Sequence, residues 1–251
     1  MNVLGDNNGC TPLMVAKNET VATILLKAGA SVNTKSKRGI PALLCALFDR
    51  NVPVIHRLID FEADINEQFS GLTALMMATV KGWEDVVGAL LERKANVEIR
   101  DTDNNGITAL MISSMAKTEN ENLTSMLVTA GSNVNAMNFN NLTALHYAVI
   151  NQNFKVVRCL LKSGADPNAQ DRNGFSPMRI ARGDLDDSKD VEWIQAYHIC
   201  KDLKQYGANG QLVDNYGTPA NVDYAFIKQK AVYWITKYNR IGAYLRSWRN
   251  A

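Results

Sequence analysis

Most signatures that announce a chemistry are missing from this chain. Its four cysteines, Cys10, Cys45, Cys159 and Cys200, form no CxxC pair and match no zinc-ligand spacing. This sparse usage points to a reduced, cytoplasmic setting. No apolar run reaches the 18 residues that a membrane-spanning helix needs. The stretch Met1 to Gly9 is polar and lacks the apolar centre of a signal peptide. Charge of either sign is not in excess: 27 basic residues face 25 acidic ones. That balance excludes a global pull toward nucleic acid or an anionic membrane. There are three histidines, His56, His146 and His198, and no two are close in sequence. No HExxH, phosphate-cradling glycine loop or Ser/His/Asp arrangement is present. The chain is therefore not expected to be an enzyme, and no cofactor or metal is implied.

What the chain does contain is repetition. Six segments place a short T-P-L-like run after a Gly or Asn: Gly9-Cys10-Thr11-Pro12-Leu13, Gly39-Ile40-Pro41-Ala42-Leu43, Gly71-Leu72-Thr73-Ala74-Leu75, Gly106-Ile107-Thr108-Ala109-Leu110, Asn141-Leu142-Thr143-Ala144-Leu145 and Gly174-Phe175-Ser176-Pro177-Met178. A partial seventh copy begins at Gly217-Thr218-Pro219. A second anchor follows each copy in phase, as in Ala63-Asp64-Ile65-Asn66, Gly131-Ser132-Asn133-Val134-Asn135 and Gly164-Ala165-Asp166-Pro167-Asn168. A Thr or Ser ahead of an apolar run caps a helix by accepting a free backbone N–H. The pairs Val54-Ile55/Leu58-Ile59, Val86-Val87/Leu90-Leu91 and Val156-Val157/Leu160-Leu161 have the i, i+3, i+4 spacing of a second, amphipathic helix. Gly29, Gly131 and Gly164 suit the left-handed residue that closes it.

These two anchors resemble the ankyrin repeat over roughly residues 6–220. The resemblance implies an all-α solenoid of stacked helix-turn-helix units with short turn or hairpin connections. An elongated, slightly curved array with a long concave face is expected. The array would occupy 1–217 and a helical C-terminal cap 218–251. It also implies a protein-binding module, acting as adaptor or scaffold; an inhibitor or pathogen effector that blocks a partner's active surface is the alternative. In such arrays His146 bonds along the stack. The free chain is expected to be a monomer.

Several places depart from the pattern. Repeat one is short between Ala16 and Val21, which reads either as a degenerate cap or as a sign that the native chain extends further. Glu62 and Lys94 stand where glycine closes the second helix, so those turns are expected to be weaker or bent differently. Repeat six carries an acidic insertion at about 182–192, which does not match a calcium loop and reads as a solvated loop or an N-cap cluster for a helix from Val191.

In ankyrin arrays the turn tips and the ends of the first helices meet partners. Carried onto this chain, those positions are Ile40, Phe48, Phe69, Leu72, Val80, Lys81, Ile107, Met115, Phe139, Asn140, Leu142, Ile150, Arg172 and Phe175. The set is strongly apolar, and a large exposed apolar patch marks an interaction site. The alternative, packing of individual members onto the next turn, stays open. Trp83 sits in an inter-helix loop, in the core or on this surface.

Beyond residue 210, six basic residues face two acidic ones, and Tyr233, Trp234, Tyr238, Tyr244 and Trp248 are interleaved with them. Two helices at about 221–235 and 239–249, capping the last repeat, explain this pattern. Contact with nucleic acid or an anionic membrane is the sharper alternative.

Overall fold

A computed structural model describes residues 9–103, 105–116, 121–183 and 190–209. The expected cap at 218–251 and most of the acidic insertion lie outside the described residues. The chain forms two compact units that meet at Asp101 and Thr102. The first contains α1 (Glu19–Lys27), α2 (Ala42–Phe48), α3 (Val52–Asp60), α4 (Ala74–Lys81) and α5 (Glu84–Glu92). There α2 packs on α4, while α3 packs on α1 and α5, so first and second helices form separate layers. The second unit repeats the plan with α6 (Ala109–Ser114), α7 (Asn122–Thr129), α8 (Ala144–Ile150), α9 (Phe154–Lys162), α10 (Pro177–Gly183) and α11 (Asp190–Gln205). In it α8 lies between α6 and α10, and α9 between α7 and α11. Among the described residues the only β-pairing is two isolated bridges at turn tips, Lys35 with Pro41 and Phe69 with Leu72.

The caps follow from the sequence. Thr73, Thr108 and Thr143 accept from the backbone N–H of Met76, Met111 and His146 and start α4, α6 and α8. The paired apolar residues of the second helices are buried: Val54, Ile55 and Leu58, then Val86, Val87 and Leu90, then Val156, Val157 and Leu160. Each such side chain contributes about 1.5–3 kcal/mol against exposure. The helix expected from Val191 is present as α11, starting at Asp190.

Repeat one is degenerate, as its length suggests. Its first helix is reduced to turns between Thr11 and Ala16, closed by bonds from Met14 N–H to Thr11 C=O and from Ala16 N–H to Leu13 C=O. Only its second helix, α1, is complete.

The turns at Glu62 and Lys94 are left-handed, with φ of 65° and 59°. They are not bent differently from the glycine turns. Lys94 and Ala95 donate to Leu91 and Leu90 just as Gly164 and Ala165 donate to Leu161 and Leu160. The two hydrogen bonds hold the geometry whatever the side chain, so any cost is conformational energy and leaves no change of shape.

An asparagine ladder joins successive repeats. The Asn33 amide donates to Glu62 C=O (3.1 Å) and accepts from Asp64 N–H (3.0 Å). Asn135 does the same with Gly164 (3.0 Å) and Asp166 (2.8 Å), and Asn168 with Gly207 (3.1 Å) and Asn209 (2.7 Å). The N-cap asparagines add a second link. Asn51 caps α3 through Oδ1 and donates through Nδ2 to Lys17 C=O (2.7 Å); Asn153 caps α9 and reaches Ala116 C=O.

Candidate partner-binding surface

Each turn tip is closed by one polar side chain. The Ser36 hydroxyl accepts from Ile40 N–H, Asn138 Oδ1 from Asn140 and Leu142 N–H, and Asp171 Oδ1 from Asn173 and Phe175 N–H. Closure this tight folds the residue after the turn back into the core. The apolar ladder expected on the surface is therefore interior: Ile40, Leu72, Ile107, Leu142 and Phe175 are all buried. Met115 and Ile150, at the ends of their first helices, are buried too. These seven residues are corrections to the expected surface, and packing onto the stack is what occupies them. Phe48, Phe69, Val80 and Lys81 are half-buried. Phe139, Asn140 and Arg172 are exposed.

The exposed three come together in the second unit. Phe139 N–H donates to Asn105 C=O (2.9 Å), and Arg172 N–H donates to Asn140 C=O (3.0 Å). The tips of repeats four, five and six are thus tied by main-chain hydrogen bonds. The Phe139 ring lies against Gly106, where an added Cβ would sit 2.7 Å from it. That ring is nevertheless 53% exposed, and Met137 beside it is exposed as well. The Arg179 guanidinium stacks 5.3 Å from the Phe175 ring. An aromatic side chain held by its backbone but open to solvent loses little freedom on binding.

In the first unit the Lys37 stem covers Gly9 in the same way. Lys35 pairs with Glu67, and Gln68 donates to Gly71 and Arg100 carbonyls. Trp83 is half-buried, with the Arg50 guanidinium 5.5 Å from its ring. Arg50 also bonds Asp85 at 2.7 Å and holds that carboxyl below its ordinary pKa. Sequence reasoning found the position of Trp83 but not this clamp, because its partner lies in the preceding repeat.

The histidines are not assembled into a reactive group. The His146 ring accepts at Nδ1 from Thr143 N–H (3.1 Å), with the Thr143 hydroxyl at 2.8 Å, and its Nε2 meets Phe175 C=O at 3.1 Å. It thus links repeats five and six, and burial pushes its pKa down to about 4. His56 lies 4.0 Å from Glu92 in the first unit, and His198 packs beside Phe154 in the second. Among the described residues no group of three His, Cys, Asp or Glu side chains could hold a metal ion. No described helix is long and apolar enough to cross a membrane.

The family model for ankyrin repeats, spanning three copies, matches residues 17–101 and 96–171. The mouse B-cell lymphoma 3 protein homolog is 30% identical over 180 residues, covering 68% of this chain and 40% of that protein. Bovine mitochondrial disaggregase is 31% identical over 168 residues, covering 64% of this chain and 24% of that protein. A putative ankyrin repeat protein of fowlpox virus is 30% identical over 142 residues, covering 56% of this chain and 38% of its own length. The chain thus spans well under half of each of these relatives. Among solved structures, the ankyrin repeat domain of Bcl-3 superposes with a TM-score of 0.72 at 23% identity, over 85% of this chain and 93% of that one. An ankyrin repeat domain from Acinetobacter baumannii gives 0.67 at 26% identity, over 79% and 98%. With its caps, paired helices and crossing asparagines in register with those matches, this chain belongs to the ankyrin repeat family, whose domains are protein-interaction modules.

Proposed function

We propose that this chain binds a partner protein through the turn tips of its second unit, as an adaptor or scaffold. The observation that carries this reading is Phe139, an exposed aromatic ring seated on Gly106 with its backbone tied to the neighbouring tip. Met137 widens the apolar contact, and Asn140 and Arg172 give it a polar rim. Such a centre, with a cation beside it, has the composition of a binding hot spot. The four cysteines are free thiols, which supports a reducing, cytoplasmic location. No catalytic role is proposed.

The test is affinity capture from a cell extract followed by mass spectrometry, with Phe139→Ser plus Arg172→Glu as the control. Both positions are exposed, so the fold should survive. A partner retained by the parent chain should fall at least tenfold in the variant. Equal capture by a folded variant would sink the reading. A blocker of a partner's active surface, the role of an inhibitor or a pathogen effector, would use the same tips. Assaying the captured partner's own activity separates recruitment from blockade.

A further inference from the structure

The first repeat presents an apolar outer face that every later repeat covers. In the first helices, Cys45, Met77, Ile112 and Tyr147 occupy equivalent positions, and none is more than 7% exposed. In the second helices the equivalent set is Val54, Val86, Leu123 and Val156, none more than 5% exposed. Repeat one carries Val15 and Val21 at these positions, and they are 59% and 43% exposed. Ile24, three residues after Val21 on the same side of α1, is 61% exposed. Single exposed apolar residues are ordinary. Three at stacking positions are not, because a terminal repeat needs a polar outer face.

We propose that this face pairs with the same face of a second copy of the chain, α1 against α1 and antiparallel about a two-fold axis. Two observations favour a second copy. The positions involved are those through which this chain's own repeats already stack, so the surface is shaped for a helix. The charges on α1 are also self-complementary in the antiparallel sense. The helix opens with Glu19 and closes with Lys27, so reversal sets Glu19 beside Lys27 of the second copy, and the helix dipoles oppose. A face of one helix and one turn falls below about 1,200 Å² of buried surface, which corresponds to a weak, reversible dimer. The chain is therefore a monomer when dilute and a dimer when concentrated.

Sedimentation equilibrium of the full chain from about 1 µM to about 300 µM tests this. The weight-average mass should climb from 27.7 kDa toward twice that value. Val21→Glu with Ile24→Glu should hold it at the monomer mass while circular dichroism and thermal midpoint stay unchanged. Lys27→Glu should weaken association about tenfold, the worth of a like-charge contact across a small interface. A parent chain that stays monomeric throughout overturns the proposal, as does a dimer that the double variant leaves intact. Should deletion of residues 1–8 be required before any dimer forms, the chain's own terminus is the occupant, and the proposal fails. None of these outcomes bears on the second-unit tips, so this proposal and the partner-binding reading stand or fall separately.

Discussion

Deep in α8, His146 holds its ring between Thr143 and Phe175, where burial keeps it neutral down to about pH 4. In the unfolded chain the same ring takes a proton near pH 6.5. The folded pKa is the lower of the two, so protonation favours the unfolded chain. The stability contributed is complete above pH 6.5 and drains away as pH falls toward 4, by roughly 3 kcal/mol in all. Denaturant midpoints measured across that window should show the loss, and His146→Met should flatten it, since Met76 and Met111 fill the matching sites of repeats three and four. At Lys94 the left-handed backbone carries a side chain where repeats four and five use glycine. Lys94→Gly should raise stability by about 1 kcal/mol in equilibrium unfolding. The role of His146 was legible because its motif is local, Thr143-Ala144-Leu145-His146. The burial of Ile40, Leu72 and Phe175 was not, because the turns that fold them inward depend on side chains three or four residues earlier. Hydropathy alone cannot tell a residue under a tip from one on it.

Helix starts were the most readable elements. A hydroxyl before an apolar run has one strong use, and Thr73, Thr108 and Thr143 put it to that use. The second helices declared themselves through paired apolar residues. What stayed hidden was how the elements hold one another. Asn51 caps α3 and at the same time donates to the Lys17 carbonyl, 34 residues back. Nothing local in the sequence distinguishes it from a simple cap. Asn51→Ala removes both bonds and should cost about 2 kcal/mol, more than the roughly 1 kcal/mol typical of a lost cap. Asn51→Ser keeps a capping oxygen but no amide, and should lie between the two in thermal unfolding. Two elements, α5 and α7, lack such a cap, with Trp83 and Glu121 at the N-cap positions. The Arg50 clamp on Trp83 and Asp85 steadies the first of these.

At the scale of the whole chain, period and anchor placed the repeats correctly, because a stack forces every unit to meet its neighbours in one way. The division at Asp101 and Thr102 was not foreseen, since both halves obey the same rule. Stacking also grades stability along the chain. Helix α1 packs on α3 alone among the described elements of the first unit, whereas α3 is covered by both α1 and α5. Amides of α1 should therefore exchange with solvent faster than those of α3, read by mass spectrometry after brief exposure to heavy water. Equal protection would mean that something further covers repeat one.

The asparagine ladder has a consequence for how this chain can change. Asn33 and Asn135 each find their acceptor 29 residues ahead and their donor 31 ahead. Asn168 finds the same pair at 39 and 41. Ten residues have entered repeat six without disturbing either bond, because the ladder reads only where a repeat begins and ends. The connection between the two helices of a repeat is thus open to insertion, while the stretch from the closing turn to the next tip is not. A foreign peptide grafted between α8 and α9 should be displayed without loss of the stack, whereas one residue added between Gly164 and Asn168 should break it.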